Sequence, residues 1–269
     1  MAEPAATYTH GHAESVLRSH RWRTVDNSAA YVASRLMPGA DVLDVGCGPG
    51  TITIDIARRV APGRVVGLDS APGAIAAATD AITEADLSNL DLAVGDVYAL
   101  DHPDHSFDVV HAHQVLQHLA DPVAALREMR RVCRQGGLVA VRDSIYRAMS
   151  WFPADPVLAR WLQVYCAVAE ANGGEPDAGG QLRSWALEAG FSSVQATASA
   201  WCYATDEEKA WWGGLWADRI SSTALGTRAV QLSLATDHDL IAMAEAWRRW
   251  AAMSDGWFAV LHGEILASP

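Results

Sequence analysis

The sequence predicts an α/β fold, a doubly wound and mostly parallel sheet carrying helical cap insertions. Short apolar runs around Val42–Val45, Val65–Asp69 and Leu90–Val97 alternate with helical patterns, and each run has an acid at or near its end: Asp44, Asp69 and Asp96. Strands that alternate with helices build a parallel sheet, and such strands read as near-continuous apolar runs because both faces are covered. The caps are predicted by the tryptophans. Of eleven, all but Trp22 lie at or after Trp151, in a part of the chain longer than the sheet requires.

In chain order, Asp26-Asn27-Ser28 and Ala29–Leu36 read as a cap and helix before the first strand. The stretch Val42-Leu43-Asp44-Val45-Gly46-Cys47-Gly48-Pro49-Gly50-Thr51 then combines a buried strand with a loop of three alternate glycines, and the helical pattern Ile52, Ile54, Ile56, Ala57, Val60 follows. Glycine serves where backbone turns tightly or approaches a ligand, because it lacks Cβ. A helix starting there presents unpaired N–H groups and a positive dipole end, which suits a ligand bearing a carboxylate or phosphate. A Walker loop is excluded, since no Lys-Ser or Lys-Thr follows the last glycine. The dinucleotide fingerprint needs two residues between its second and third glycines, and only Pro49 separates Gly48 from Gly50.

The second strand ends at Asp69, after which an alanine-rich helix runs from Ala74 to Ala85. The third ends near Asp96, and Ser106–Leu119 supplies a fourth strand and its following segment. Arg127–Gly137 gives a helix and a Gly-Gly turn before the fifth strand, Leu138–Asp143. The glycine loop and these five strand endings, covering residues 41–145, resemble class I S-adenosylmethionine (SAM) dependent methyltransferases. The closest likeness is to the small-molecule branch that includes ubiquinone and menaquinone C-methyltransferases. The resemblance implies a Rossmann-like seven-stranded sheet with SAM as cofactor. Asp44, Gly46, Gly48, Gly50 and Thr51 would hold its methionine part, Asp69 and Ser70 its ribose, and Gly95, Asp96 and Val97 its adenine, with His113 and Gln114 as further cofactor contacts. Any one of these acids alone reads equally well as a strand end or turn residue. Together they fall where open α/β sheets bind ligands, at the carboxyl ends of the strands.

Seven strands require one more helix, read at Gln181–Gly190 with Gly190 as its C-cap, and two final strands, Val194–Tyr203 and Trp257–Leu266. The chain thus divides into N-terminal lid helices (1–40), a SAM-binding core (41–145) and the end of the sheet with its cap (146–269). The cap insertions span about 147–180 and 205–255, the latter with helical patterns at Glu207–Leu225 and His238–Met253. By the resemblance, the N-terminal helices close the substrate cavity, which makes Tyr8, His10, Trp22 and Arg23 candidate substrate contacts. Most tryptophans are expected to be cap core. Trp211 and Trp212 are also substrate candidates, because adjacent helix positions cannot face the same way. His113 and His118 follow the fourth strand and are the candidate general bases, histidine being suited to that role near neutral pH. His111, His113 and His118 have spacing that a zinc site could use, but His118 belongs to the family's own pattern, so no metal is expected.

A formal net charge of −12, with Lys209 the single lysine, disfavours nucleic acid, whose phosphates call for a basic surface. Arg127, Arg130, Arg131 and Arg134 fall at helical spacing and read as a solvated face. No run approaches the ~20 apolar residues of a membrane span, and the first residues lack a secretory pattern. The four cysteines are widely spaced, as in reduced cytoplasmic proteins. The expectation is a cytoplasmic enzyme, monomer or homodimer, that methylates a small apolar or aromatic metabolite by in-line transfer. The alternatives are a SAM-binding protein with a regulatory or non-methylating role, or a quinone-biosynthesis C-methyltransferase.

Overall fold

The computed structural model describes residues 22–269. Tyr8 and His10 lie outside the described residues. The sheet is eight-stranded: β1 (Val42–Val45), β2 (Val65–Asp69), β3 (Leu90–Val94), β4 (Phe107–His113), β5 (Cys133–Ser144), β6 (Ser150–Phe152), β7 (Ser193–Tyr203) and β8 (Trp257–Ser268). Its order is β3-β2-β1-β4-β5-β8, with β7 on the far side of β8. Strands β1 to β5 pair in parallel, and β8 runs antiparallel to β5, β6 and β7. Strand β6 is the one beyond the seven expected. It continues the β5 row along β8, pairing Phe152 with Trp257 where β5 has ended.

The helices are α1 (Val25–Ser28), α2 (Thr51–Val60), α3 (Pro72–Ala85), α4 (Pro122–Val132), α5 (Pro156–Ala171), α6 (Ala178–Glu188), α7 (Asp206–Ser222), α8 (Ala224–Gln231) and α9 (Asp237–Ala251). Several boundaries differ from the sequence reading, each for a local reason. At the N-terminus, Thr24 is the cap, bonded reciprocally with Asn27, and the helix gives way at once to a 3₁₀ turn over Ala30–Arg35. The pattern Glu207–Leu225 splits because Thr223 ends α7 and its hydroxyl caps Leu225 of α8. Helix α6 starts three residues earlier than read, and Gly190, at φ +90°, stands one residue past the cap Ala189.

Three apolar clusters hold the molecule together. One face of the sheet packs Leu43, Val66, Val110, Val139 and Ile265 against α4 and α6. The other packs Val42, Val65, Val109 and Ala140 against α2 and the N-terminal residues Val25, Ala29 and Val32. The third is the cap core, where Trp161, Trp212, Trp216, Trp247 and Trp250 meet Tyr165, Tyr203 and Phe258. Most of the tryptophans are therefore structural, as expected from their number. No helix among the described residues is long and apolar enough to cross a membrane. Arg131 pairs with Glu128 and Asp104, and Arg134 with Asp41 and Asp108, at the surface.

Candidate active site

The parallel strands deliver their carboxyl ends to one edge, where the glycine loop lies. Gly46, Gly48 and Gly50 all have positive φ (+68°, +55°, +82°), a region that side-chain-bearing residues adopt only with strain. At Gly46 there is also no space, since an added Cβ would lie 2.4 Å from Val115 Cγ2. Helix α2 begins at Gly50 with no side-chain cap, so its dipole and first-turn N–H groups face the loop. That arrangement fits a ligand carboxylate.

Asp69 lies half-buried at the end of β2. It accepts hydrogen bonds from Gly48 N (3.0 Å) and Ala71 N (2.9 Å), tying the glycine loop to the next strand. Ser70 is exposed beside it. Asp96, also exposed, falls in the loop after β3 and accepts from Tyr98 N (2.9 Å), while Val97 is buried beneath. These residues fit a cofactor with a charged amino-acid end, a diol and an amine-bearing base, which are the parts of SAM. Asp44 behaves differently. It is 3% exposed, accepts from Thr53 Oγ1 (2.6 Å) and lies 2.7 Å from His111 Nδ1, so both carboxylate oxygens brace the loop from beneath.

Strand register continues this polar row. His113 is opposite Arg142, Arg142 opposite Glu264, and Glu264 opposite Thr197, so all four share one face. One step along, Ser144, His262 and Ser199 form a second row, followed by Trp201 on β7. Arg142 is buried, 3.2 Å from Glu264 through Nε, and its guanidinium stacks 4.9 Å from the Trp201 ring centre. Arg23 approaches the same ring at 5.5 Å and donates to Gln114 Oε1 at 2.5 Å. Gln114 takes φ +54° and donates through Nε2 to Ser144 Oγ at 2.7 Å. The predicted substrate residues Trp22, Arg23 and Trp211 are thus brought to one place. Trp22 lies 5.5 Å from both Trp201 and Trp211 and 5.9 Å from Tyr203. Trp212 is not part of it: the ring stacks on Tyr203 at 4.3 Å within the cap core. Between the N-terminal residues and β7 a cavity of about 390 Å³ opens, lined by Trp22, Tyr31, Trp201, Arg142 and Ser199 among others.

The candidate bases are both held neutral. His113, buried beside Trp201 and His262, has its pKa pushed well below the usual imidazole value by burial and by the nearby Arg23 and Arg142 charges. Burial and Arg23 lower His118 to about 3. Imidazoles so depressed are weak proton carriers at neutral pH. His118 sits in a short turn with Gln117, whose Nε2 lies 3.1 Å from His118 Nε2 and 3.2 Å from Tyr146 Oη. Among the described residues, no three His, Cys, Asp or Glu side chains converge as metal ligands.

Sequence reasoning passed over Trp201, His262, Arg142 and Asp143. Polar residues in apolar strand runs were the available signal, but their partners lie far along the chain. Asp143 is fully buried at the end of β5. Oδ1 accepts from Gln117 N (3.3 Å), and Oδ2 has no hydrogen-bond partner among the described residues. Burial pushes this carboxyl up to about 8. An acid raised in the native state from an unfolded value near 4 contributes stability below that value and loses it as pH rises toward about 8. Asp143→Asn is therefore expected to gain stability relative to the unmodified protein at pH ~8.5 and to gain less at pH ~5. Denaturant melts at the two pH values check this, and a pH-independent difference would contradict it.

Residues 36–190 match the family model described as a methyltransferase domain. An uncharacterized methyltransferase of Schizosaccharomyces pombe is 32% identical over 268 residues, covering 96% of this chain and 95% of its own. A demethylmenaquinone methyltransferase of Listeria monocytogenes is 36% identical over 134 residues, 49% of this chain and 53% of that protein. Among solved structures, phosphoethanolamine N-methyltransferase 2 of Haemonchus contortus in complex with S-adenosyl-L-methionine is similar in fold. Its TM-score is 0.55 at 17% identity, covering 89% of this chain and 52% of that one.

Proposed function

Because this chain belongs to the class I SAM-dependent methyltransferases, we propose that it uses SAM to methylate a small, planar metabolite enclosed between the N-terminal residues and the tryptophan-rich cap. The observation that carries the acceptor class is the aromatic enclosure formed by Trp22, Trp201, Tyr203 and Trp211 on the polar face beside the carboxyl ends of the strands. Rings and hydrophobic walls with a few placed polar groups are the common form of small-molecule sites.

SAM supplies a methyl group on a positively charged sulfur, already activated for transfer. The work left to the protein is alignment and exclusion of water. The Gly46–Gly50 loop and α2 N-terminus bind the amino-acid end, Asp69 the diol and Asp96 the base. His113, His262 and Gln114 close the polar side of the acceptor chamber, and the cap shields it. Labelled SAM incubated with a metabolite extract tests the reading: a labelled small product with the methyl mass shift supports it, and transfer to RNA or protein alone refutes it. Once the acceptor is known, Trp211→Ala is expected to raise its KM at least about fivefold, with SAM affinity within about threefold, because an aromatic contact is worth ~1 kcal/mol. Unchanged kinetics would remove Trp211 from the pocket.

A further inference from the structure

Arg142 is an uncommon residue to find at the centre of a sheet. It is 1% exposed, yet it lines the 390 Å³ cavity under Trp201. Burying a guanidinium is costly unless its donors are satisfied. Nε and Nη2 have partners in Glu264 and Ser199, but Nη1 has none among the described residues. Glu264 does not satisfy Nη1: that carboxylate accepts from Thr197 Oγ1 (2.8 Å), Ser199 Oγ (2.5 Å) and Arg142 Nε, and makes no bond to Nη1. The second acid on the cavity wall, Asp26, is paired outward with Arg59 at 2.7 Å. Tyr31 Oη, on the same wall, is buried and has no partner among the described residues either.

We propose that Arg142 Nη1 receives an anionic oxygen, a carboxylate or phenolate, of the planar acceptor, whose ring lies against Trp22 and Trp201. This deepens the proposed function and rests on it. The site has the required sign: Arg23 also stands over the Trp201 ring, adding a second guanidinium at 5.5 Å from its centre. Burial first, and then the charges of Arg23 and Arg142, keep His113 and His262 neutral, so the charges beside Trp201 are two guanidiniums and the one carboxylate of Glu264. Charge-assisted bonds of this kind are short and strong, and here they form out of bulk water. Tyr31 Oη supplies a second donor to the same oxygen group. The cavity of about 390 Å³ has room for a ligand body of one or two rings.

Calorimetric titration of the full chain, with SAM bound, compares 1-naphthoate with 1-naphthamide, which have the same shape and differ in charge. Naphthoate is expected to bind at least about tenfold tighter. In the double variant Arg142→Gln/Glu264→Gln, which removes both buried charges together, the preference is expected to fall to within about twofold. Equal binding of the two compounds to the unmodified protein, or no binding of naphthoate at ~10 mM, overturns the proposal without any variant. A preference that persists in a folded double variant also overturns it. SAM titration is the control that separates the two readings. Failure of SAM to bind the unmodified protein refutes the proposed function, whereas normal SAM binding with no charge preference refutes only the role of Arg142.

Discussion

Truncation of Trp161 to alanine is expected to remove about 3–5 kcal/mol of folding free energy, the usual cost of deleting a fully buried aromatic side chain. Trp161 is 0% exposed, and its ring centre lies 4.5 Å from Trp216, 4.7 Å from Trp247 and 6.0 Å from Tyr165. Three helices, α5, α7 and α9, meet on this one side chain, so none can close the gap without parting from another. The indole N–H has no hydrogen-bond partner among the described residues, so the loss is one of packing and apolar burial with no polar group stranded. For a domain of this size the melting temperature is expected to drop by roughly 10 °C. Trp161→Phe keeps most of the volume and is expected to lose less than half as much. The cap core is a separate cluster from the two that flank the sheet, so SAM affinity of the folded fraction should hold. Thermal unfolding with parallel SAM titration makes the measurement, and a melting temperature within ~2 °C of the unmodified protein would contradict the assignment.

Asp69→Ala is expected to weaken SAM at least about tenfold, because charge-assisted hydrogen bonds contribute roughly 1.5–3 kcal/mol each. The structure adds a cost that the strand-end position alone does not indicate. Asp69 also accepts from Gly48 N and Ala71 N, so its removal takes away the side-chain tie of the glycine loop to β2 and leaves the backbone bonds of Gly46 and Cys47 to Leu68. The variant should accordingly lose about 1–2 kcal/mol of stability even without ligand. Asp69→Asn separates the two effects, since the amide retains one acceptor for the loop and loses the charge. Calorimetry gives the affinities, and a SAM dissociation constant equal to that of the unmodified protein would show that the second strand does not reach the cofactor.

The parts of the site that were legible share a physical property: they are local. The positive φ values at Gly46, Gly48 and Gly50 are demanded by a tight strand-to-helix turn, and only glycine meets that demand without strain. The acids Asp69 and Asp96 were readable because strand ends are set by where apolar runs stop. Asp44 shows the limit of that reasoning. Its place at the end of β1 is as expected, but its direction depends on Thr53 and on His111, 67 residues away, which hold one oxygen each. The tryptophan pair divides on the same ground. Helical geometry separates Trp211 from Trp212 in angle, yet only the packing of Tyr203 on Trp212 decides which ring belongs to the core.

The sequence by itself determined the parallel five-strand core, the order of the loops at its carboxyl edge and the family to which they belong. Hydrophobic period, turn chemistry and strand-end acids are all properties of a few neighbouring residues. The tertiary structure decided the extra strand β6, the division of tryptophans between the cap core and the cluster around Trp22, and the polar row from His113 through Arg142 to Glu264. That row joins residues of β4, β5 and β8, and its central pair is separated by 122 positions. A charge buried in an apolar strand is tolerable only where another strand brings its partner, so its meaning is fixed by register, and register is set by the packing of the whole sheet.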